Sequence, residues 1–338
     1  MNNGSGLPSA QRTSCDYLIV GGGSAGCLAA WRLIAETNAR VTMLETGGGY
    51  RGPYLKLSPG FSRLIPKGIH CTLHRTVPQA ALDDRVLEIA TGRVLGGGSS
   101  VNAQVYMRGF RSDYDGWGDA AGSALWNWDA LLPHFRRLEG NQRLAGAFHG
   151  SEGPLKVADP GFTCEYSHLY VKAAQSLGLP FTADFNAGAP AGTGFLQFTA
   201  LDGRRCSAVD AYLDQVRASE RLTVVTGAQV NRILFDGQRA VGAEYLQGRQ
   251  RHVVRCDGEV LLAAGALGSP KLLMLSGIGP AEHLRRFGIP VQADLAGVGQ
   301  NLQDHCGSPL VVRGNSRGYG YFQQDRGWRL LWNLLEYG

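Results

Sequence analysis

Apolar residues follow two different periods along the first fifty positions. Tyr17–Val20 is a short unbroken apolar run of β-rich types, the pattern of a parallel strand buried on both faces. Gly21–Gly26 interrupts it. AGCLAAWRLIAE then keeps apolar residues at helical spacing to about Ala35, and Arg40–Glu45 (RVTMLE) reads as a second strand. Strand, glycine turn, helix and strand within about thirty residues is the opening of a doubly wound α/β sheet.

Periodicity weakens from Thr46 to Leu87, where glycine, proline and basic residues alternate with single apolar ones. This stretch is expected to be irregular and to cover a ligand. MRGFRSDYDGWG reads as polar chain with aromatic residues. WNWDALLPHFRRLE has the spacing of an amphipathic helix starting near Asn127 or Asp129. Asn141–Phe162 is expected to be loop, Tyr166–Leu177 helix, and Ala183–Gly194 a long loop. Ser207–Val216 again reads as helix. LTVVTG, QVNRILF, AVGAEYL, HVVRC and EVLLAAG read as successive strands, with Asp236-Gly237 a tight turn. SPKLLMLSG returns to helix. A sheet assembled from distant segments follows, with no internal repeat.

Composition narrows the class. The 338 residues exceed one average domain. Hydrophobic residues make up 44% and charged residues 18%, the balance of a globular chain. The 48 glycines are about twice the usual share and lie in separate turns. That suits an enzyme whose backbone closely approaches a large cofactor. The net charge of +5 is spread without a basic block, which argues against nucleic-acid binding. Cys15, Cys27, Cys71, Cys164, Cys206, Cys256 and Cys306 are scattered and form no C-x-x-C, so reduced buried thiols are expected, with no metal site. MNNGSGLPSAQRTSCDY lacks the features of a signal peptide, and no stretch reaches eighteen apolar residues. A cytoplasmic protein with a disordered tail over residues 1–14 and no integral membrane span is expected.

GGGSAG matches G-x-G-x-x-G at Gly21, Gly23 and Gly26, between a strand and a helix. Glu45 follows nineteen residues after Gly26, at the end of the second strand. This context carries a mechanism. Gly21 permits the tight turn, Gly23 lets backbone approach a pyrophosphate, and Gly26 lets helix pack on strand. The helix N-terminus, with Ser24 and Ala25, offers unpaired N–H groups. Glu45 is placed to accept hydrogen bonds from ribose hydroxyls, which favours FAD or NAD over NADP. A second glycine-rich loop, GRVLGGGSSVN (Gly92–Asn102), holds many backbone donors, small side chains and an amide. A planar flavin ring needs such donors along one edge and close approach to its face. The first loop then serves the diphosphate and the second the far end of the same cofactor.

GRVLGGGSSVNAQVYMRG, with Asp113, Tyr114 and Trp117 downstream, resembles the first signature of the glucose–methanol–choline (GMC) oxidoreductases. GALGSPKLLMLSGIGP (Gly265–Pro280) resembles the second. HGSEGPL, SAVDAYL and GVGQNLQDH are similar to further family segments in family order, and the resemblance, to the choline-dehydrogenase-like branch, runs from about Asp16 to the end. It implies an α/β fold: an FAD-binding Rossmann-like domain with a discontinuous sheet, over 15–160 and 200–305, plus an incomplete mixed α/β substrate domain over 161–199 and 306–338. It implies FAD-dependent oxidation of an alcohol by hydride transfer to flavin N5. The implied FAD contacts are Gly21, Gly23, Ser24, Ala25, Gly26 and Glu45, then Arg93, Val94 and Gly97, then Asn102, Ala103, Gln104 and Val105. Val230 is expected beside the adenine, and Ala264 and Gly265 near the diphosphate. Some members attach FAD through a histidine just before the loop asparagine. Val101 stands there, so FAD is expected to be non-covalent.

The family's catalytic pair, a histidine followed by histidine or asparagine, belongs to a C-terminal segment not matched here. The chain stops in LLWNLLEYG, and the resemblance implies a continuation past Gly338 that carries the base. Among the histidines present, His70 and His74 are four apart in an irregular stretch. His134, His168, His252 and His283 lie in ordinary helix or strand patterns. His149 belongs to a turn and reads as structural, and His305 beside Asp304 is the best outside candidate. No nucleophile elbow or H-E-x-x-H is present. A non-catalytic flavin-binding fragment and a hydroxynitrile-lyase-type enzyme remain alternatives, as does an NAD-dependent dehydrogenase. The alcohol and the electron acceptor (oxygen, quinone or cytochrome) stay open.

Overall fold

A computed structural model describes residues 14–187, 191–305, 307 and 328. All but one residue of the expected N-terminal tail, and nearly all of 306–338 including Cys306, lie outside the described residues. The chain divides into two compact units, residues 1–102 with 207–305, and 103–206 with 306–338. The stretch 103–160, expected with the dinucleotide-type sheet, groups instead with 161–199.

The first unit is built on a six-stranded sheet. Strand β1 (Ser14–Val20) leads through a glycine turn into helix α1 (Ser24–Glu36) and strand β2 (Val41–Glu45). Across the sheet the order is Leu222–Thr226, β2, β1, Gln250–Leu262, Arg239–Gln247 and Ala228–Asp236. The first four strands are parallel, and the last two pairings run antiparallel from Gln250–Leu262 outwards. Strand β1 is therefore the switch point, with its successor on one side and a strand from 240 residues later on the other. In open α/β sheets the crevice beyond the carboxyl ends at such a point takes the ligand.

Both faces of β1 are covered, which is why it reads as an unbroken apolar run. Leu18, Val20 and Leu44 join Ala228, Ile233, Ala243, Val254 and Leu272 in one buried cluster, so the antiparallel strands fold over that face. Ile19 and Met43 are fully buried, and α1 buries Gly26, Cys27, Ala30 and Ile34. A Cβ at Gly26 would overlap the carbonyl oxygen of Gly21 and come within 3.2 Å of the Ile19 side chain. Burial pushes the Cys27 thiol up to about 12, so this cysteine is an inert packing group.

Some expectations are corrected. HVVRC and EVLLAAG are one strand, Gln250–Leu262, not two. The chain continues in one strand through Asp257-Gly258, where the pairing with β1 shifts register between Cys15 and Tyr17. Gly258 is needed because a side chain there would overlap the Asp16 carbonyl. Within 46–87, short helical turns (Pro53–Lys56, Phe61–Leu64) precede strand Cys71–Arg75, which pairs antiparallel with Glu88–Gly92. Its burial does not alternate cleanly, which hid it from a period-two reading. Ser207–Val216 holds a π-helical turn, Val209–Leu213, rather than a regular helix. The Asp210 carboxylate accepts from the Ser207 backbone at 2.9 Å and from Lys56 Nζ at 2.6 Å.

In the second unit Arg111–Ala121 is a helix that the polar composition concealed, with the Asp113 carboxylate accepting from the Phe110 N–H at 2.7 Å. Helix Trp128–Leu138 is capped by Asn127, whose Oδ1 accepts from the Ala130 N–H at 3.0 Å. Glu165–Ser176 is the third helix. Leu155–Val157, expected as loop, pairs parallel with Glu139–Asn141, and Val105–Tyr106 pairs antiparallel with Gln197–Phe198. Tyr114 packs with Trp117, Trp128 and Phe135 at ring-centroid separations of 5.1–5.6 Å.

Gly26→Ala forces a side chain into the Gly21 carbonyl and is expected to cost on the order of 3 kcal/mol. Soluble yield and thermal unfolding of the variant check this; an unchanged melting temperature would contradict the close packing of α1 on β1.

Candidate functional site

Three chain segments leave the sheet at one level because the strand register aligns them. Val20 pairs with Leu44 on one side and with Leu262 on the other. Gly21, Glu45 and Ala263 are the next residues in each strand. The Gly21 N–H donates to the Leu44 carbonyl at 2.8 Å and the Ala263 N–H to the Val20 carbonyl at 2.8 Å. A Cβ on Gly21, whose φ is +107°, would strike the Ala263 carbonyl. The glycine turn is thus pinned between its two neighbours.

Glu45 is buried, and its carboxylate is already engaged by the loops on either side. Oε2 accepts from the Gly22 N–H at 2.8 Å and Oε1 from the Gly47 N–H at 2.7 Å. Burial raises the carboxyl above its ordinary range, and those two N–H groups with Arg93 pull it part of the way back. Its position ties the first glycine loop to the turn after β2. Its remaining lone pairs are free to take hydroxyl donors.

The second glycine loop lies directly on the first. The Gly96 N–H donates to the Gly22 carbonyl at 2.7 Å, and a Cβ on Gly97 (φ +54°) would stand 2.9 Å from the Gly23 Cα. Val94 is fully buried, pairs with Gly48 as an isolated bridge, and is followed by Leu95, whose N–H donates to the Gly48 carbonyl at 3.0 Å. Arg93 hydrogen-bonds through its N–H to the His70 carbonyl at 2.7 Å. The loop closes on a 3-10 turn, Gly97–Ser100, and the Asn102 N–H donates to the Gly98 carbonyl at 2.9 Å. Ser99 Oγ accepts from the Ala208 N–H at 3.0 Å, so the π-helical turn region braces the loop from behind.

Protein packing explains most of these glycines but not all. Gly23 has no protein atom closer than 3.9 Å to a hypothetical Cβ, and Gly98 has none within 4 Å. Ser24 and Ala25 are exposed, and no side chain caps the α1 N-terminus. The first turn of α1 therefore presents orphan N–H groups and a positive helix end to open space. Ala264 and Gly265 start a second helix, Gly265–Leu275, at the same end of the sheet, again without a side-chain cap on its N-cap residue. Such a donor set with side-chain-free backbone suits a diphosphate. Val230 packs against the cluster containing Val20 and Leu44, two residues beyond the start of strand Ala228–Asp236. The Gly227 N–H, just before that strand, donates to the Gly47 carbonyl at 2.8 Å.

Gly21, Gly23, Ser24, Ala25, Gly26, Glu45, Arg93, Val94, Gly97, Asn102, Val230, Ala264 and Gly265 all belong to the first unit, whereas Ala103, Gln104 and Val105 open the second. Gln104 is buried with φ at +65°, a left-handed conformation uncommon outside glycine. Its carbonyl accepts from the Thr199 N–H at 2.8 Å. Backbone strain of this kind concentrates at functional sites.

Residues 15–307 match the GMC oxidoreductase family model. The chain belongs to the GMC oxidoreductases. It is 39% identical over 305 residues to an alcohol dehydrogenase (acceptor) of Pseudomonas putida, covering 89% of this chain and 55% of that protein. It is 40% identical over 312 residues to the mitochondrial choline dehydrogenase of Mus musculus, covering 88% of this chain and 52% of the relative. Among solved structures, pyridoxine 4-oxidase from Mesorbium loti superposes with a TM-score of 0.80 at 36% identity, over 83% of this chain and 55% of that one. An FAD-dependent oxidoreductase from Chaetomium thermophilum gives 0.79 at 32% identity, over 84% and 51%. The chain thus spans about half the length of these relatives. FAD is the cofactor of this GMC chain, and the open glycines and orphan N–H groups fit its diphosphate.

The remaining histidines do not gather at the cradle as a group. His70 is exposed with φ +59°, His74 Nε2 lies 2.9 Å from Thr91 Oγ1 on the hairpin, and His305 is exposed beside Asp304. Sequence reasoning missed the buried polar residues of the second unit: Arg108, Glu139, Asn141 and Gln197. Glu139 ends a helix with a surface-like pattern, and only its neighbourhood to HGSEGPL hinted at more. Among the described residues no helix is long and apolar enough to cross a membrane.

Gly23→Ala places its new methyl where no protein atom stands. The melting temperature of the apoprotein is expected to stay within about 2 °C, while FAD affinity falls about tenfold or more. Fluorescence titration with FAD checks the second part. Glu45→Gln turns an amide donor towards one glycine N–H and leaves it unpaired. A loss of about 1–3 kcal/mol in stability is expected, read from denaturant unfolding.

Proposed function

We propose that this chain supplies the cofactor cradle of a flavoprotein that oxidises an alcohol, with non-covalent FAD. The observation that carries this reading is the contact between the two glycine loops at the switch point, where Gly97 lies against Gly23 while Gly23 and Gly98 face open space. In this reading the N–H groups of Gly23 to Gly26 and of Gly265 hold the diphosphate, and Ala264, whose own N–H donates to Ser269 Oγ at 3.1 Å, stands beside it. Glu45 keeps the first loop in place and accepts the ribose hydroxyls. Val230 flanks the adenine. Arg93, Val94, Gly97 and Asn102 line the flavin.

Bound there, FAD supplies the acceptor for a hydride from the alcohol carbon, at its N5 atom. The hydroxyl proton needs a base within hydrogen-bond reach. The cradle's own titratable group, Glu45, is committed to two backbone N–H groups. The base is therefore assigned to the portion of the relatives' length that this chain does not span, past Gly338. Relatives named for alcohol and choline point to a small alcohol as substrate. A hydroxynitrile-lyase-type reaction would use the same cradle without redox turnover.

The test is reconstitution of the protein with FAD, using the gene's coding sequence through its own stop codon, followed by anaerobic addition of primary alcohols including choline. Bleaching of the visible flavin band is expected, and acid precipitation is expected to release the flavin into the supernatant. Failure to bind FAD overturns the reading. Bound flavin that no alcohol reduces favours the lyase-type alternative, and flavin that stays with the acid precipitate refutes the non-covalent assignment at Val101.

A further inference from the structure

The second unit buries a cluster of four charged side chains that the proposed oxidation does not use. Arg108, Glu139 and His149 have side chains 1%, 0% and 3% exposed, and Asp184 is 20% exposed. Arg108 Nη2 donates to Glu139 Oε2 at 2.6 Å, its Nη1 to the Phe148 carbonyl at 2.5 Å, and its Nε to the Tyr106 hydroxyl at 3.2 Å. Glu139 also accepts from Asn141 Nδ2 at 2.8 Å and from the Gly150 N–H at 3.1 Å.

His149 stands between the two carboxylates. Its Nδ1 is 2.9 and 3.1 Å from the Glu139 oxygens, and its Nε2 is 2.9 Å from Asp184 Oδ2. A neutral imidazole has one donor nitrogen and one acceptor nitrogen. In this site the acceptor nitrogen would confront a carboxylate oxygen at hydrogen-bond distance, lone pair against lone pair. Charge counting agrees. With His149 protonated, two positive and two negative groups cancel; with it neutral, one buried negative charge is left over, which is costly.

We propose that His149 is a doubly donating imidazolium that pins the loop containing Asp184 to the strand Glu139–Asn141, and that its loss of a proton on the alkaline side releases that loop. The consequence reaches further along the chain. Asp184 Oδ1 accepts from the Asn186 N–H at 2.8 Å, and Asn186 Oδ1 accepts from the Arg108 N–H at 2.8 Å. Asp184 and Asn186 share a small cavity with Tyr106, Phe185, Phe195 and Gln197. Tyr106 lies on the strand that continues from Gln104, so the pin steadies the wall next to that strained residue.

The other charged groups around the cluster are paired elsewhere. Arg143 Nε donates to Asp159 at 2.6 Å and its Nη2 to the Ala183 carbonyl at 3.0 Å; Asp159 accepts in turn from Gln197 Nε2 at 2.9 Å. Lys156 Nζ donates to the Gly153 carbonyl at 3.2 Å. Burial alone would lower the imidazole's proton affinity, but the hydrogen bonds and charges of Glu139 and Asp184 outweigh it and hold His149 above its ordinary value. Glu139 is shifted the other way: burial opposes its ionisation, while His149, Asn141 and Arg108 hold it below the usual carboxylate range. For a group raised in the fold, the stabilisation is complete below the unfolded histidine value and is lost as pH rises through the folded one.

The test uses the full chain with nitrogen-15-labelled histidine. At about pH 7.5 both His149 ring nitrogens are expected to be protonated, well above the ordinary histidine range. Between about pH 6.5 and pH 9, amides of residues 182–187 are expected to exchange about tenfold faster after correction for intrinsic rates. His149→Gln should abolish this pH dependence. Asp184→Asn leaves the Arg108–Glu139 pair intact and should lower the His149 midpoint by about one pH unit, so it serves as the readout even where His149→Gln fails to fold. A neutral, singly protonated His149 at about pH 7.5, or a midpoint unmoved in Asp184→Asn, overturns the proposal.

Discussion

Helix α1 can reach the sheet only because Gly26 has no side chain. The Gly21 carbonyl occupies the space that a Cβ would need, and Ile19 lies just beneath. Everything in the first unit that resembles a binding site depends on this approach. It sets the start of α1 at the carboxyl end of β1, where its unpaired N–H groups face outwards. The parallel register then carries β2 and the strand Gln250–Leu262 to the same level. The cradle is a consequence of close packing followed by alignment.

Glu45 shows how one carboxylate can serve structure and chemistry together. Its two oxygens hold the glycine turn and the turn after β2 in fixed relation. The second glycine loop is then laid over the first by the bond from Gly96 to Gly22. Two loops separated by seventy residues become one surface. Glycines that touch protein on every side, such as Gly21 and Gly26, build that surface. Gly23 and Gly98, which touch little, leave room on it for a ligand backbone cannot otherwise approach.

The second unit is organised differently. Part of its interior is polar: a buried arginine, a glutamate and a histidine that satisfy one another and the surrounding carbonyls. Networks of this kind stabilise only when every member has a partner. That requirement links Arg108, Glu139, His149 and Asp184, contributed by four separate segments, into a single electrostatic unit.

The sequence by itself determined the opening strand–turn–helix–strand, the roles open to Gly21, Gly23, Gly26 and Glu45, and the presence of a second backbone-rich loop, because those depend on local spacing. The strand Gln250–Leu262 was read as two, HVVRC and EVLLAAG, because polar Asp257 and Gly258 separate their apolar runs, while the carbonyl that requires Gly258 belongs to the distant Asp16. Helix Arg111–Ala121 was hidden because its polar and glycine-containing residues carry no clear period, and strand Leu155–Val157 because three residues are too few to show one. Only the tertiary structure decided that Gly97 rests on Gly23, that Gln104 is held left-handed, and that Glu139 is buried between Arg108 and His149. The physical reason is common to all three. A backbone contact or a buried charge is defined by partners far away in the chain, and the order of residues around it does not say which partners those are.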